Sequence, residues 1–334
     1  MKRIAVLSVA HIHAADFCGD IARLSGAGAP LLIWDDVPER GRAFAARFGC
    51  PFEPDLAKAL ANPDVDAFAI CAENARHLAL LKEVIPIGKP TLCEKPLGTS
   101  ATEADEIAAL VARHGTPLTS GYFQPFFASN RGAAALVASG ALGRPTHFFF
   151  RNAHHAAYGR WFDNPELAWF TDPALAGGGA LLDMGTHAVH LLRHLAGPVR
   201  EVWATTANLS GAYPRVDDWG VIELRFASGA VGRVEAGWVF TGAPTGLQIV
   251  GTERSLYDRD GSLVYRGPDE EPRPVPEGDA RPDRIARLLA LARGELSREE
   301  VAADLAASLD AVRVMDAAYR SAASGAWTPV APAP

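Results

Sequence analysis

The sequence predicts an α/β fold in two parts. A doubly wound parallel sheet comes first, followed by an α+β domain built on a large, mostly antiparallel open sheet. Three observations carry this expectation. Up to Gly121, short apolar runs alternate with amphipathic helical stretches, the pattern of repeated β-α units. Beyond Gly121 that alternation stops. From Val199 to Tyr265 the chain is almost entirely strand-like, with turns such as "ASGA" and "DRDG" that suit antiparallel hairpins. The expected domains are therefore residues 1–121 and 122–334.

In order, Ile4–Leu7 reads as a strand and Ala14–Leu24 as a helix. Pro30–Trp34 and Pro38–Phe48 form the next such pair, followed by Ala67–Cys71 with His77–Ile85 and Thr91–Cys93 with Ala101–His114. Leu118–Gly121 closes the series as a strand. Right-handed crossovers between parallel strands put helices on both faces of this sheet. In the second part, Ser129–Ser139 is expected as a helix, Thr146–Arg151 as an aromatic, β-prone strand, and Ala180–Leu195 as a helix. Pro268–Pro282 reads as a Pro-rich acidic loop. Two helices, Arg284–Ala292 and Arg298–Ser321, finish the chain.

The 334 residues are 49% hydrophobic and 21% charged, enough apolar material for a sizeable core and too little charge for global disorder. The net charge of −7 suggests no nucleic-acid surface. No apolar run is long enough for a membrane span, and the N-terminus lacks a signal-peptide pattern, so a cytoplasmic protein is expected. Cys18, Cys50, Cys71 and Cys93 form no C-x-x-C pair and read as reduced thiols.

The first strand runs into "VLSVAHIHAAD", where a dinucleotide-binding chain would carry Gly-x-Gly-x-x-Gly. The three glycine positions fall on Ser8, Ala10 and His13. Ser8 and Ala10 are small. His13 is not, and Ala14 beside it is the candidate for close helix-strand packing. The helix N-terminus still offers amides and a positive dipole end to a phosphate, and His11 or His13 adds a donor. Asp35, about 22 residues further on at the end of "LLIWDD", stands where a carboxylate takes ribose hydroxyls. A rival reading takes His11 and His13 as the opening of a metal-dependent (β/α)₈ hydrolase. That barrel needs helices between strands throughout, and Val199–Tyr265 has hardly any.

"PTLCEKPLG" places Glu94 and Lys95 at the carboxyl edge of the sheet, beside the expected cofactor crevice. There a desolvated lysine trades a proton with a substrate hydroxyl. In "AGGGALLDMGTHAVHLLRHL", Asp183 and His187 are four apart and share a helix face. The carboxylate would orient the imidazole, and the imidazole would bond or deprotonate a hydroxyl. A zinc site on His187, His190 and His194 lacks the glutamate of H-E-x-x-H, and no metal is expected.

"CEKPLG", followed about 85 residues on by "GGGALLDMGTHAVHLL", resembles the Gfo/Idh/MocA oxidoreductases, the glucose–fructose oxidoreductase and inositol dehydrogenase family. "ARFG", "SGALGRP" and the C-terminal helix fit the same pattern. The resemblance implies a Rossmann domain, an open antiparallel sheet that forms a subunit interface, and NAD or NADP between the two. It implies Lys95 beside the nicotinamide, Glu94 at its ribose, and Asp183 and His187 at the substrate. Two features depart from the family: the glycine fingerprint is missing, and the last position of G-x-H-x-x-D is His190.

The expected activity is NAD(P)-dependent hydride transfer to or from a sugar, polyol or related cyclic alcohol. Lys95 and His187 would handle the hydroxyl proton. The expected cofactor contacts are Ser8, Ala10, His11, Ile12, His13, Asp35, Ala72, Asn74, His77, Glu94 and Lys95. Arg151, His154, His155 and Trp169 are candidate substrate walls. NAD is expected over NADP because Asp35 and Asp36 would face a 2′-phosphate. Trp238 and Phe240, in a strand region with few covering helices, point to an exposed face and a homodimer or homotetramer. Two alternatives share the resemblance: a glycosidase that uses NAD for transient oxidation, and a non-enzymatic ligand sensor.

Overall fold

The computed structural model describes residues 1–242 and 245–332. Five short strands, β1 (Ile4–Leu7), β2 (Leu32–Trp34), β3 (Ala67–Ile70), β4 (Thr91–Cys93) and β5 (Leu118–Ser120), form a parallel sheet in the order β2-β1-β3-β4-β5. Burial on both faces explains their continuous apolar character. The intervening helices are α1 (Ala14–Leu24), α2 (Pro38–Phe48), α3 (Leu56–Ala61), α4 (His77–Val84) and α5 (Ala101–His114). Their ends follow local chemistry. Pro38 starts α2, where its missing N–H is unneeded, and Gly49 ends it in the left-handed region. Ser100 caps α5 by accepting from Glu103 N. The short α3, capped by Asp55, was not expected: it carries too few turns to show a period.

The second part holds α6 (Ala128–Ala138), β6 (Pro145–Ala153), α7 (Pro173–Ala176) and α8 (Ala180–Ala196). Strands β7 (Val199–Ala207), β8 (Trp219–Phe226), β9 (Val231–Gly237), β10 (Gly246–Gly251), β11 (Ser255–Arg259), β12 (Ser262–Arg266) and β13 (Arg273–Pro274) follow. The chain then adds α9 (Arg284–Arg293), α10 (Arg298–Ser324) and β14 (Thr328–Pro329). The nine strands order as β13-β12-β11-β10-β6-β9-β8-β7-β14, and among the described residues only the β6–β9 pair is parallel. The stretch expected as a loop, Pro268–Pro282, contributes the edge strand β13, whose Arg273 pairs with Tyr265.

One face of this large sheet packs on α8 and α10 through Leu181, Leu192, Ile222, Val234 and Met315. Trp238 belongs to a separate buried cluster with Phe162 and Phe170 and has no exposed surface, so it is not the interface residue expected. The last helices return to the first sheet. Ile285, Leu288 and Leu289 of α9 join Ile4, Val6 and Ile33, and Leu309 and Val312 of α10 join Leu7 and Ile70. The 27-residue α10, opened by a Ser297–Glu300 capping box, thus ties both cores together. This fixes the carboxyl edge of the parallel sheet against the N-terminus of α8.

Candidate active site

The turn after β1 keeps its shape without glycine. Ser8 stands at φ 65°, the left-handed conformation that the first glycine of the fingerprint normally supplies. It is pinned there: Ser8 N donates to Trp34 O at 2.7 Å, and Asp35 accepts from Val9 N at 2.8 Å and from Ser8 Oγ at 3.3 Å. Ala14 is fully buried in the cluster that α1 shares with β1 and β2. His13 precedes α1, and its Nδ1 lies 3.2 Å from Glu94 Oε1.

Asp35 therefore differs from its expected use. Its side chain has no exposure, and its oxygens also take Val37 N at 2.7 Å and Arg40. It builds the turn and has no free oxygen for a ribose. The partly exposed carboxylate here is Asp36, paired with Arg40 and Arg76; Arg40 also reaches Glu73 at 3.3 Å.

His77 is a strut. Fully buried, its ring nitrogens lie 2.8 Å from Pro96 O and 3.1 Å from Ala72 O, which holds the loops after β3 and β4 together. Burial lowers its pKa, against the pull of the Pro96 carbonyl. Asn74 Nδ2 donates to Ala176 O at 2.8 Å and leaves its buried Oδ1 without a partner.

Glu94 follows β4 directly and has no exposure. Burial works to raise its pKa, but the charge and hydrogen bond of His13 together with Lys95 outweigh burial and hold it below the usual carboxylate range. Gly121 makes room for it: a Cβ there would lie 2.3 Å from Glu94 Oε2. The next residue, Lys95, precedes a cis peptide to Pro96. Lys95 Nζ donates to Asp183 Oδ1 at 2.8 Å and to Asp183 O at 3.2 Å. Trp238 Nε1 donates to Asp183 Oδ2 at 3.0 Å. Burial alone would raise the Asp183 pKa, yet Lys95 and its other partners hold it low.

Asp183 thus orients Lys95 and not His187, as the helix spacing had suggested. A charge-assisted bond to an ammonium is stronger than one to a neutral imidazole. His187 lies one turn on, its Nδ1 buried without a partner. Burial, then the positive charge of Lys95, pushes its pKa well below the ordinary value, so the ring is neutral at pH 7.

These groups line a cavity of about 220 Å³. Lys95, Asp183 and His187 contribute from the sheet edge and α8, and His11, Ile12 and His13 from the turn after β1. Asn152 and His154 enter from β6 and just beyond it. Phe123, Trp161, Phe162, Phe170 and Met184 make an apolar wall. Sequence reasoning missed this wall, whose signal for Trp161, Phe162 and Phe170 was the density of aromatics in "YGRWF" and "LAWF", and it placed Trp238 at an interface instead.

Three expected substrate residues stand elsewhere. Arg151 lies on the other face of the large sheet, its Nε 2.7 Å from Glu235 Oε2. Trp169 is buried, stacked on Phe170, and donates its indole N–H to Ala10 O at 3.0 Å, which ties the second part of the chain to the turn after β1. His155 is exposed, edge-on to Trp161 and outside the cavity lining.

His11, His13 and Glu94 bring possible metal-ligand atoms within 4.8 Å of one another. But His11 Nδ1 accepts from His13 N at 3.2 Å, which puts the ring proton on Nε2 and makes it a donor. His190, His194 and Asp304 form a second such group, crossed by the buried Arg287–Asp304 ion pair, whose positive charge opposes a cation.

The turn fits a dinucleotide. His11 Nε2, Asn74 Oδ1 and Glu94 Oε2 are buried polar atoms without protein partners, on the loops that follow β1, β3 and β4 at the carboxyl edge of the parallel sheet. A dinucleotide offers both kinds of partner: its ribose hydroxyls and carboxamide can donate to Asn74 Oδ1 and Glu94 Oε2, and a phosphate or carbonyl oxygen can accept from His11 Nε2.

Comparison with known proteins agrees. Residues 12–122 match the model of the oxidoreductase family with an NAD-binding Rossmann fold, and residues 130–257 match that of the Gfo/Idh/MocA C-terminal domain. The 1,5-anhydro-D-fructose reductase of Ensifer adhaerens is 29% identical over 236 residues, 70% of this chain and 69% of that protein. The fold recurs in a levoglucosan dehydrogenase solved with NADH and levoglucosan. That likeness has a TM-score of 0.82 at 22% identity and covers 99% of this chain and all of the other. It recurs also in an inositol dehydrogenase homologue from Azotobacter vinelandii complexed with NAD⁺, at TM-score 0.84 and 20% identity, covering 98% and 97% of the two chains. With the two family matches together spanning more than half of its length, this chain belongs to the Gfo/Idh/MocA family of NAD-binding oxidoreductases.

Proposed function

We propose that the protein oxidises or reduces one carbinol carbon of a sugar or polyol, with Lys95 as the group that exchanges the hydroxyl proton. NAD, when bound, supplies the hydride acceptor or donor. The chain's own residues do the rest. Residues 1–121 hold the cofactor and residues 122–334 shape the substrate cavity. Glu94, fixed by His13, accepts from the nicotinamide ribose. Asp183 holds the Lys95 ammonium in place, and the neutral His187 bonds the substrate hydroxyl.

The observation that carries this reading is the Trp238–Asp183–Lys95 relay of hydrogen bonds ending in the cavity. A ligand sensor has no use for a lysine so positioned. NAD is preferred to NADP, because Asp35, Asp36 and Glu73 outnumber Arg40 and Arg76 where a 2′-phosphate would lie.

The protein works as a homodimer or homotetramer through the sheet face bearing Phe149, Trp203 and Trp219, opposite the one α8 and α10 cover. Its four cysteines are free, as suits the reducing cytoplasm. No helix among the described residues is long and apolar enough to cross a membrane.

The test is NADH formation on mixing the protein with NAD and a panel of neutral sugars and polyols. Turnover that disappears in Lys95→Ala supports the reading. NAD binding with no turnover of any panel member contradicts it.

A further inference from the structure

The cavity's chemistry narrows the substrate, and this narrowing rests on the oxidoreductase reading above. Among the described residues, the acidic and basic side chains lining the cavity, histidines aside, are Lys95 and Asp183, which neutralise one another at 2.8 Å; His13, also in the lining, has its Nδ1 3.2 Å from the Glu94 carboxylate. His11, His154 and His187 are kept neutral by burial. Among the described residues no arginine lines it: Arg151 sits on the sheet's other face with Glu235, and Arg160 pairs with Asp163 at 2.9 Å on the surface. A carboxylate or phosphate on the substrate would be desolvated without a cationic partner and beside Asp183. The volume, about 220 Å³, falls below the roughly 300 Å³ at which sites for drug-sized ligands begin. An uncharged single ring fits such a lining without a cationic partner.

A second observation concerns Trp161. Its side chain is 37% exposed, and its ring stacks on His154 at 4.7 Å and 29°. The backbone is shaped to hold it. Arg160 occupies φ 54°, a left-handed conformation unusual for a non-glycine residue. At Gly159 a Cβ would come within 2.5 Å of Trp161 Nε1. Strained backbone that presents an exposed aromatic at a cavity is the arrangement of a stacking platform. Polar groups beside it match hydroxyls. Asn152 Nδ2 donates to Met184 O at 2.8 Å, which leaves its Oδ1 as an acceptor. His154 Nδ1 accepts from Ala156 N at 3.2 Å, which leaves Nε2–H as a donor.

We propose that the site takes a neutral, single-ring sugar or cyclic polyol whose apolar C–H face stacks on Trp161 while Asn152 and His154 meet its hydroxyls. Trp161 is then the residue that selects the substrate.

The experiment titrates the NAD-saturated protein calorimetrically with D-glucose, myo-inositol and 1,5-anhydro-D-glucitol, and with D-glucuronate, glucose 6-phosphate and UDP-glucose. NADH formation is followed in parallel. At least one neutral ring should bind, and every charged probe should bind at least about tenfold more weakly. Trp161→Ala should weaken the neutral ring about tenfold and Trp161→Phe by no more than about threefold, with NAD affinity and thermal unfolding unchanged. A charged probe that binds as tightly, no binding by any neutral ring, or an affinity unmoved in Trp161→Ala would overturn the proposal. Neutral-ring binding that depends on Trp161 but yields no NADH would instead overturn the oxidoreductase reading and leave the stacking site standing.

Discussion

Lys95 Nζ lies 2.8 Å from Asp183 Oδ1, while the other oxygen of that carboxylate accepts from Trp238 Nε1 at 3.0 Å. Trp238→Phe keeps most of the packing with Phe162 but removes the donor. The Asp183 carboxyl, now held below the usual range, would rise. The acid limb of the kcat/KM profile should then move to higher pH, with kcat/KM down about tenfold at neutral pH. Thermal unfolding should change little. An unmoved acid limb would show that Trp238 only packs.

The space at Gly121 is a sharper constraint. A methyl group there would stand 2.3 Å from Glu94 Oε2 and 2.7 Å from its Cδ. Gly121→Ala should push Glu94 off His13, destabilise the fold by about 1–3 kcal/mol, and weaken NAD binding. Calorimetric NAD affinity equal to that of the parent protein would contradict the placement of Glu94.

Cofactor choice follows from charge. A 2′-phosphate near Asp36 and Glu73 meets repulsion of about 1–4 kcal/mol at a few ångströms and moderate dielectric, only partly offset by Arg40 and Arg76. NAD should bind more tightly than NADP, and Asp36→Asn should narrow the gap. Tighter NADP binding in calorimetry would refute the charge argument.

Acid should destabilise the fold early. His11, His77, His154, His187, His190 and His194 all have pKa values lowered chiefly by burial, His194 to about 4. The unfolded chain takes up protons on these rings below about pH 6.5, and the folded chain does not. Stability is therefore full above that pH and is lost as pH falls below it, by on the order of 1 kcal/mol for each fully buried ring one unit down. Thermal unfolding between about pH 7.5 and pH 5.5 checks this; a flat melting temperature would contradict it.

Much of the fold was legible in the sequence because the signals are local. The β-α alternation fixed β1 to β5, and the caps Pro38, Ser100 and Ser297 stand where the helices begin. The motif around Lys95, Asp183 and His187 pointed to residues that the fold brings together in one cavity. What stayed hidden depends on contacts between distant segments. Asp183 and His187 share a helix face, but the ammonium of Lys95, 88 residues away, takes the carboxylate. Trp169 reads as a cavity wall until its indole is seen bonded to Ala10, 159 residues before it. Trp238 follows the end of β9 and turns under α8 to Asp183, so strand alternation misplaces it on the surface. Asp35 sits where a ribose ligand is expected, yet an unusual turn without glycine consumes its oxygens.

The central claim is that Lys95 moves the substrate proton, and kcat of Lys95→Ala on a substrate found in the panel tests it most directly. Single-turnover rates with deuterated substrate would establish that hydride transfer limits the rate. The account predicts a fall in kcat of about 10²–10⁴, with NAD affinity unchanged, as the proposed phosphate site at the turn after Ser8 requires. If Lys95→Ala keeps more than about a third of the parent kcat while an isotope effect shows chemistry to be limiting, another group carries the proton and the mechanism is wrong.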